Sequence, residues 1–349
     1  MPWASTKRKD EDLDRKGKVA YVFPGQGSQA VGMGLHLYTQ YSSARDVFDE
    51  ADKTLGFSLS RLCFEGPEEE LTKTINVQPA VLTVSIACLK AAEEIIGGSL
   101  PLPDVVAGHS LGEYTALVVA GVLSLSEAVR LVRERGRLMN EAAVARPGSM
   151  VAVLGLDEKT IGDICLLADT EISNINCPGQ IVVSGAEEKL AEFKRLAEEK
   201  GARRVIRLKV SGAFHSRLMQ PAAEGLHKAI LESSFGEPLV PVMANVTAAA
   251  LIDAGAIKEE LAAQIIRCVR WQESVENMIA GGVTRFIEIG HGQVLADLIK
   301  RVNPEVPVLN IGDVDIEKQV ERWWMEQRRE HIKGVLEKAI QAERSSHGC

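Results

Sequence analysis

The sequence predicts an α/β protein in which a large, mainly parallel sheet is interrupted by a small ferredoxin-like subdomain. Three observations carry that reading. Strand-like apolar runs alternate with longer helical patterns over most of the chain, the order that builds a parallel sheet. One strand-to-helix junction, around residues 104–118, is tightened into a Gly-x-Ser-x-Gly turn, which makes the large domain hydrolase-like. Between residues 149 and 208 the rhythm changes to β-α-β-β-α-β, the split-βαβ order of a compact insertion.

The elements follow in order. The first 17 residues are polar and charge-rich (Lys7, Arg8, Lys9, Asp10, Glu11, Asp12) and are expected to form a disordered arm. A strand over 18–23 stops at Pro24 and enters the loop Gly25-Gln26-Gly27-Ser28-Gln29. A helical pattern covers 77–96, and after the serine turn another covers 126–145, with Ser124 or Ser126 as its cap. The insertion reads as a strand at 150–154, a helix at 158–168, strands at 171–176 and 180–184 split by Pro178-Gly179, a helix at 187–200 and a strand at 203–208. Runs at 241–245, 285–289 and 306–309 return the chain to the large sheet. The expected division is an arm at 1–17, a large domain at 18–148 and 209–313, the subdomain at 149–208, and a C-terminal helix and tail at 314–349. That helix, over 316–343, carries Val320, Trp324, Ile332, Leu336 and Ile340 near one face and is expected to pack on its own domain.

Composition narrows the function. The chain has 349 residues, 46% hydrophobic and 25% charged, with a formal net charge of −8. An acidic surface argues against nucleic acid as the main partner. No apolar run reaches the ~18 residues of a membrane span, and no charged-then-apolar leader opens the chain, so a cytoplasmic protein without a membrane partner is expected. Cys63, Cys88, Cys165, Cys177, Cys268 and Cys349 are scattered, and no Cys-x-x-Cys or His-x-x-x-His pattern occurs. They read as reduced thiols, with no metal and no cofactor expected.

The chemistry centres on Gly108-His109-Ser110-Leu111-Gly112. Flanking glycines let the backbone turn sharply and expose the serine, and the helix that follows favours negative charge at its start. A serine hydroxyl needs a base to take its proton. His215 in Ser211-Gly212-Ala213-Phe214-His215-Ser216 is the best candidate, just where the chain leaves the insertion. His109 should point away from its neighbour, and His291 ranks second among loop histidines. Between Ser110 and His215 no carboxylate stands at an obvious strand end. That favours a dyad whose imidazole is held by a carbonyl or an amide. The loop at 24–29 lacks the lysine of a phosphate-binding loop. Arg130, Arg133, Arg135 and Arg137 share one helix, and periodicity does not choose among them.

Six motifs occur in order: Phe23-Pro24-Gly25-Gln26-Gly27-Ser28-Gln29, Gln78-Pro79-Ala80, the serine turn continuing into Glu113-Tyr114, Arg135-Gly136, Asn174-Ile175-Asn176-Cys177-Pro178-Gly179-Gln180, and Gly212-Ala213-Phe214-His215-Ser216. In this order, over roughly residues 19–312, the sequence resembles the malonyl-CoA:acyl carrier protein transacylases and the acyltransferase domains of polyketide and fatty acid synthases. The resemblance implies a Ser110 nucleophile with His215 as base, and an oxyanion hole of the Gln26 and Leu111 main-chain N–H groups. Arg135 would bind the free carboxylate of malonate. Phe214 would crowd a branched α-carbon, Gln264 would steady the histidine through its main chain, and Asn176 would stand near the acyl site. The implied partners are malonyl-CoA and acyl carrier protein, and the product would feed fatty acid or polyketide synthesis. Arg203 and Arg204, with Arg267 and Arg270, are the candidate docking patch for an acidic carrier. The chain departs from the family at Arg267-Cys268-Val269-Arg270-Trp271, where an Asn-Pro pair is common. A serine esterase or thioesterase, and a non-enzymatic scaffold, are the rival readings.

Overall fold

The computed structural model describes residues 17–325 apart from Ser99 and Pro101. Residues 1–16 of the expected arm and the C-terminal helix beyond residue 325 lie outside the described residues. Ten strands are present among them: β1 (Lys18–Phe23), β2 (Val105–Gly108), β3 (Ser149–Leu154), β4 (Glu171–Cys177), β5 (Gln180–Gly185), β6 (Arg204–Arg207), β7 (Val242–Met243), β8 (Ala250–Leu251), β9 (Val283–Ile289) and β10 (Val308–Ile311). They form a six-stranded sheet ordered β10-β9-β1-β2-β7-β8 and a four-stranded sheet ordered β4-β5-β3-β6. The larger sheet is parallel except for the β7–β8 pair, and the smaller one is antiparallel throughout. The fold is the α/β arrangement that the alternation predicts.

Register explains where a site can form. Phe23 on β1 stands opposite Gly108 on β2, and Ala107 opposite Met243 on β7. The loops after these three strands, which carry Gln26, Ser110 and Asn245, therefore leave from the same carboxyl edge, where open α/β sheets hold their ligands.

The smaller sheet divides its side chains between two cores by simple alternation. Val151, Val153, Ile181 and Val183 pack under the helices Glu158–Ala168 and Glu187–Glu199, while Met150, Ala152 and Val182 join the main core. Its β4 edge is stitched to the loop before Trp271, where Ile175 N donates to Val269 O and Val269 N donates to Ser173 O, each at 2.9 Å. The segment that departs from the family pattern thus pairs with the second sheet. Among the described residues no strand pairs with the outer side of β6.

Two long helices, Thr74–Ile96 and Leu125–Ala145, pack against each other. Pro79 lies inside the first and lacks the N–H that would bond the carbonyl four residues back. That carbonyl, Ile75 O, instead accepts from Arg133 Nη1 at 2.9 Å. The second helix is capped by Ser124, whose hydroxyl accepts from Glu127 N. At Gly136 the helices touch: a Cβ there would lie 2.6 Å from Thr74 O and 2.8 Å from Ile75 Cα. That close approach puts Arg135 beside Gln78.

One expectation is corrected at the C-terminus. The described part of the last helix starts at Ile316 and buries Ile316, Val320 and Trp323, whereas Trp324 is 42% exposed. Steps of four and then three residues keep one helix face, and one further residue turns the side chain away by about 100°.

Candidate active site

Ser110 sits at φ 51° and His215 at φ 56°, both in the left-handed region that side chains other than glycine seldom occupy. The turn around Ser110 is too tight for any side chain on either flank. A Cβ on Gly108 would fall 1.9 Å from the Gly112 carbonyl carbon, and one on Gly112 would fall 2.0 Å from Phe23 O. Asn245 braces the strained segment from the end of β7. Its Oδ1 accepts Ser110 N–H at 2.6 Å, and its Nδ2 donates to Gly108 O at 2.7 Å. Sequence reasoning missed Asn245. The available signal was a polar residue closing a core strand.

Ser110 Oγ lies 2.8 Å from His215 Nε2, and His215 Nδ1 lies 2.8 Å from the main-chain oxygen of Gln264. Arg135 Nη2 donates to Ser110 Oγ at 3.0 Å. These contacts fix every proton. A carbonyl only accepts, so Nδ1 carries the imidazole hydrogen and Nε2 is the acceptor. A guanidinium only donates, so the Ser110 hydroxyl receives from Arg135 and gives to His215. Burial first, and then the Arg135 charge, push the His215 imidazole down to about 3 from an ordinary 6.5, which keeps it neutral.

The four arginines separate by environment. Arg130 is exposed, Arg137 pairs with Glu134 and Glu141, and Arg133 bonds Ile75 O and the Asn76 side chain. Arg135 alone of the four is 1% exposed, and it reaches the serine. Its Nη1 donates to Gln78 Oε1 at 2.7 Å, its Nη2 also to Gln264 Oε1 at 2.9 Å, and its guanidinium carbon lies 5.5 Å from the centre of the Tyr114 ring. Gln78 gives the Gln78-Pro79-Ala80 motif a physical role as a second brace on Arg135.

The remaining predicted residues spread around this core. Gln264 is fully buried, and its side-chain amide also donates to Ser110 O at 2.8 Å. Asn176, at the end of β4, holds His109 Nε2 at 2.9 Å and so ties the smaller sheet to the residue before the serine. Phe214 packs in the main core, and its carbonyl accepts from Ser184 Oγ at 2.7 Å. His291 is committed elsewhere, 2.6 Å from Asp313. At the turn, the N–H groups of Gly112, Glu113 and Tyr114 bond His109, Ser110 and Leu111 carbonyls, and that of Ser110 bonds Asn245. The Leu111 and Gln26 N–H groups have no acceptor among the described residues. Gly25 carries the Gln26 loop against the turn: a Cβ on it would lie 2.5 Å from His109 O. Among the described residues, no group of three His, Cys, Asp or Glu is placed to hold a metal ion.

The arrangement can perform nucleophilic acyl chemistry with a cation aimed at the acyl group. Comparison with known proteins points the same way. Residues 20–331 match the family model for the acyl transferase domain. A malonyl CoA-acyl carrier protein transacylase of Bacillus subtilis is 48% identical over 301 residues, covering 85% of this chain and 94% of its own. The crystal structure of an acyl carrier protein S-malonyltransferase from Vibrio cholerae superposes with a TM-score of 0.82 at 41% identity, covering 87% of this chain and 99% of that one. A malonyl-transacylase in complex with its type II PKS acyl-carrier protein superposes with a TM-score of 0.83 at 39% identity, covering 87% and 98%.

Proposed function

The chain belongs to the acyl transferase domain family, and from that premise we propose that it moves a malonyl group from malonyl-CoA to the phosphopantetheine thiol of acyl carrier protein. The transfer runs in two steps through an ester on Ser110. His215 Nε2 takes the hydroxyl proton as Ser110 Oγ attacks the thioester carbonyl. The Leu111 and Gln26 N–H groups receive the resulting oxyanion. Collapse expels the CoA sulfur, which takes the serine's proton from His215 and leaves as the thiol. The carrier thiol then repeats the sequence: it gives its proton to His215, its sulfur attacks the ester, and Ser110 leaves as the alcohol.

One observation carries the malonyl reading above all. A buried, permanently charged Arg135 stands 3.0 Å from the nucleophile with two of its donors in use toward neutral amides. An acyl group ending in a carboxylate supplies the charge that such a guanidinium lacks. Phe214 beside the base supports an unbranched acyl group. The product would supply extender units to fatty acid synthesis, with polyketide synthesis as the alternative. A cytoplasmic site of action is supported by unpaired thiols at Cys63, Cys88, Cys165, Cys177 and Cys268. No described helix is long and apolar enough to cross a membrane.

The test follows CoA release from malonyl-CoA with and without the phosphopantetheinylated carrier. Transfer predicts a single burst of about one equivalent without carrier and continuous turnover with it. Continuous release of CoA and free malonate without carrier would mean a thioesterase and would overturn the reading.

A further inference from the structure

We propose that Glu113 is a positioning residue that holds the Gln264 side-chain amide in the one orientation its neighbours accept, and through it aims Arg135 at the acyl carboxylate. The proposal deepens the acyl-transfer reading above and rests on it. Glu113 is in the first turn of the helix Gly112–Val119 and is 1% exposed. Its Oε2 accepts from Gln264 Nε2 at 2.5 Å, and the same Nε2 donates to Ser110 O at 2.8 Å. An amide nitrogen has two hydrogens, and both are occupied here. Gln264 Oε1 is thereby turned toward Arg135 Nη2, 2.9 Å away.

The opposite orientation fails on both sides. It would put the amide oxygen against the Ser110 carbonyl, and two N–H donors against a guanidinium that has no acceptor. Ser110 O alone fills only one of the two hydrogens. Glu113 fills the second and anchors the amide in place.

An ordinary role for an acid in a first helical turn is to complement the helix dipole from the surface. Glu113 is instead buried, and burial together with nearby Glu260 holds its carboxyl well above the ordinary acid range. A neutral carboxyl still accepts through its carbonyl oxygen. The contact with Gln264 therefore needs an acceptor atom and no charge, so glutamine can replace glutamate and an isosteric thioether cannot.

The experiment compares Glu113→Gln and Glu113→Met by kcat/KM for self-acylation with malonyl-CoA and with acetyl-CoA, each also made in an Arg135→Ala background. In Glu113→Met the malonyl KM rises and the malonyl-to-acetyl ratio falls by about tenfold or more, while acetyl loading stays within about threefold of the parent. Glu113→Gln restores the ratio. Once Arg135 is alanine, Glu113→Met changes the ratio no further, because its effect passes through that guanidinium. An unchanged ratio in Glu113→Met, an equal loss for both donors, or a ratio effect that survives Arg135→Ala would each overturn the proposal. If Glu113→Met does not fold, Glu113→Ala gives the same readings. A parent protein that takes up no malonyl group at all would instead remove the acyl-transfer reading, so the two failures are distinct.

Discussion

His215 Nδ1 donates to the main-chain oxygen of Gln264 at 2.8 Å, so a peptide carbonyl occupies the place where a hydrolase triad has a carboxylate. The carbonyl fixes the same tautomer that an acid would, but it brings no negative charge. Burial, and after it the nearby Arg135 guanidinium, make the imidazole a weak base. On the proposed function, a malonyl carboxylate seated on Arg135 would neutralise that charge and strengthen the base. Selection of the acyl group and activation of the serine would then be electrostatically coupled.

The first prediction concerns pH. Burial is the first cause of the low His215 pKa and the Arg135 cation the second, so Arg135→Ala should raise it from about 3 part of the way toward 6.5. Imidazole NMR of both proteins measures it. A parent His215 that titrates near its ordinary value would contradict the electrostatic account. The same shift carries a stability consequence. The unfolded chain binds the proton that the folded one refuses, so this group's contribution is full above about 6.5 and is lost as pH falls toward 3.

Arg135→Ala should lower malonyl kcat/KM by on the order of a hundredfold, the worth of about 3 kcal/mol from charge-assisted hydrogen bonds. Acetyl loading should persist, because acetate offers the guanidinium nothing. Competition between the two thioesters for one enzyme sample checks this directly, and equal malonyl rates in mutant and parent would refute the carboxylate role.

Asn245→Ala leaves the Ser110 N–H and the Gly108 carbonyl without their partner. Each buried orphan costs roughly 1–3 kcal/mol, so denaturant unfolding should show a loss of a few kcal/mol alongside slower acylation. Asn245→Asp keeps the acceptor for Ser110 N–H and loses only the donor, so it should be intermediate in both measurements.

Carrier docking gives the fourth prediction. Arg203 and Arg204 are exposed at the β6 edge, with no ion pair among the described residues, whereas Arg270 pairs with Glu273. Reversing Arg203 and Arg204 to Glu should raise KM for an acidic carrier several-fold in a salt-dependent way and leave self-acylation unchanged. Unaltered carrier kinetics would place the docking surface elsewhere.

How much of this was legible in the sequence follows from how local each signal is. The turn at Ser110 is written in adjacent residues, and most strand and helix limits follow from short-range periodicity and caps such as Ser124. The choice of Arg135 over Arg133 depends on which side of the Thr74–Ile96 helix each meets, a contact between segments about 57 residues apart. Asn245 and Glu113 act across 135 and 151 residues, through hydrogen bonds that leave no trace in spacing. Trp323 and Trp324 are neighbours on a helix, where an error of one position exchanges core for solvent.

The central claim is a malonyl ester on one hydroxyl, and intact-mass analysis with peptide mapping after malonyl-CoA treatment tests it most directly. The account predicts a single adduct on Ser110 that disappears when carrier thiol is added and never forms in Ser110→Ala. An adduct in Ser110→Ala, or one mapping to another residue in the parent, would contradict it.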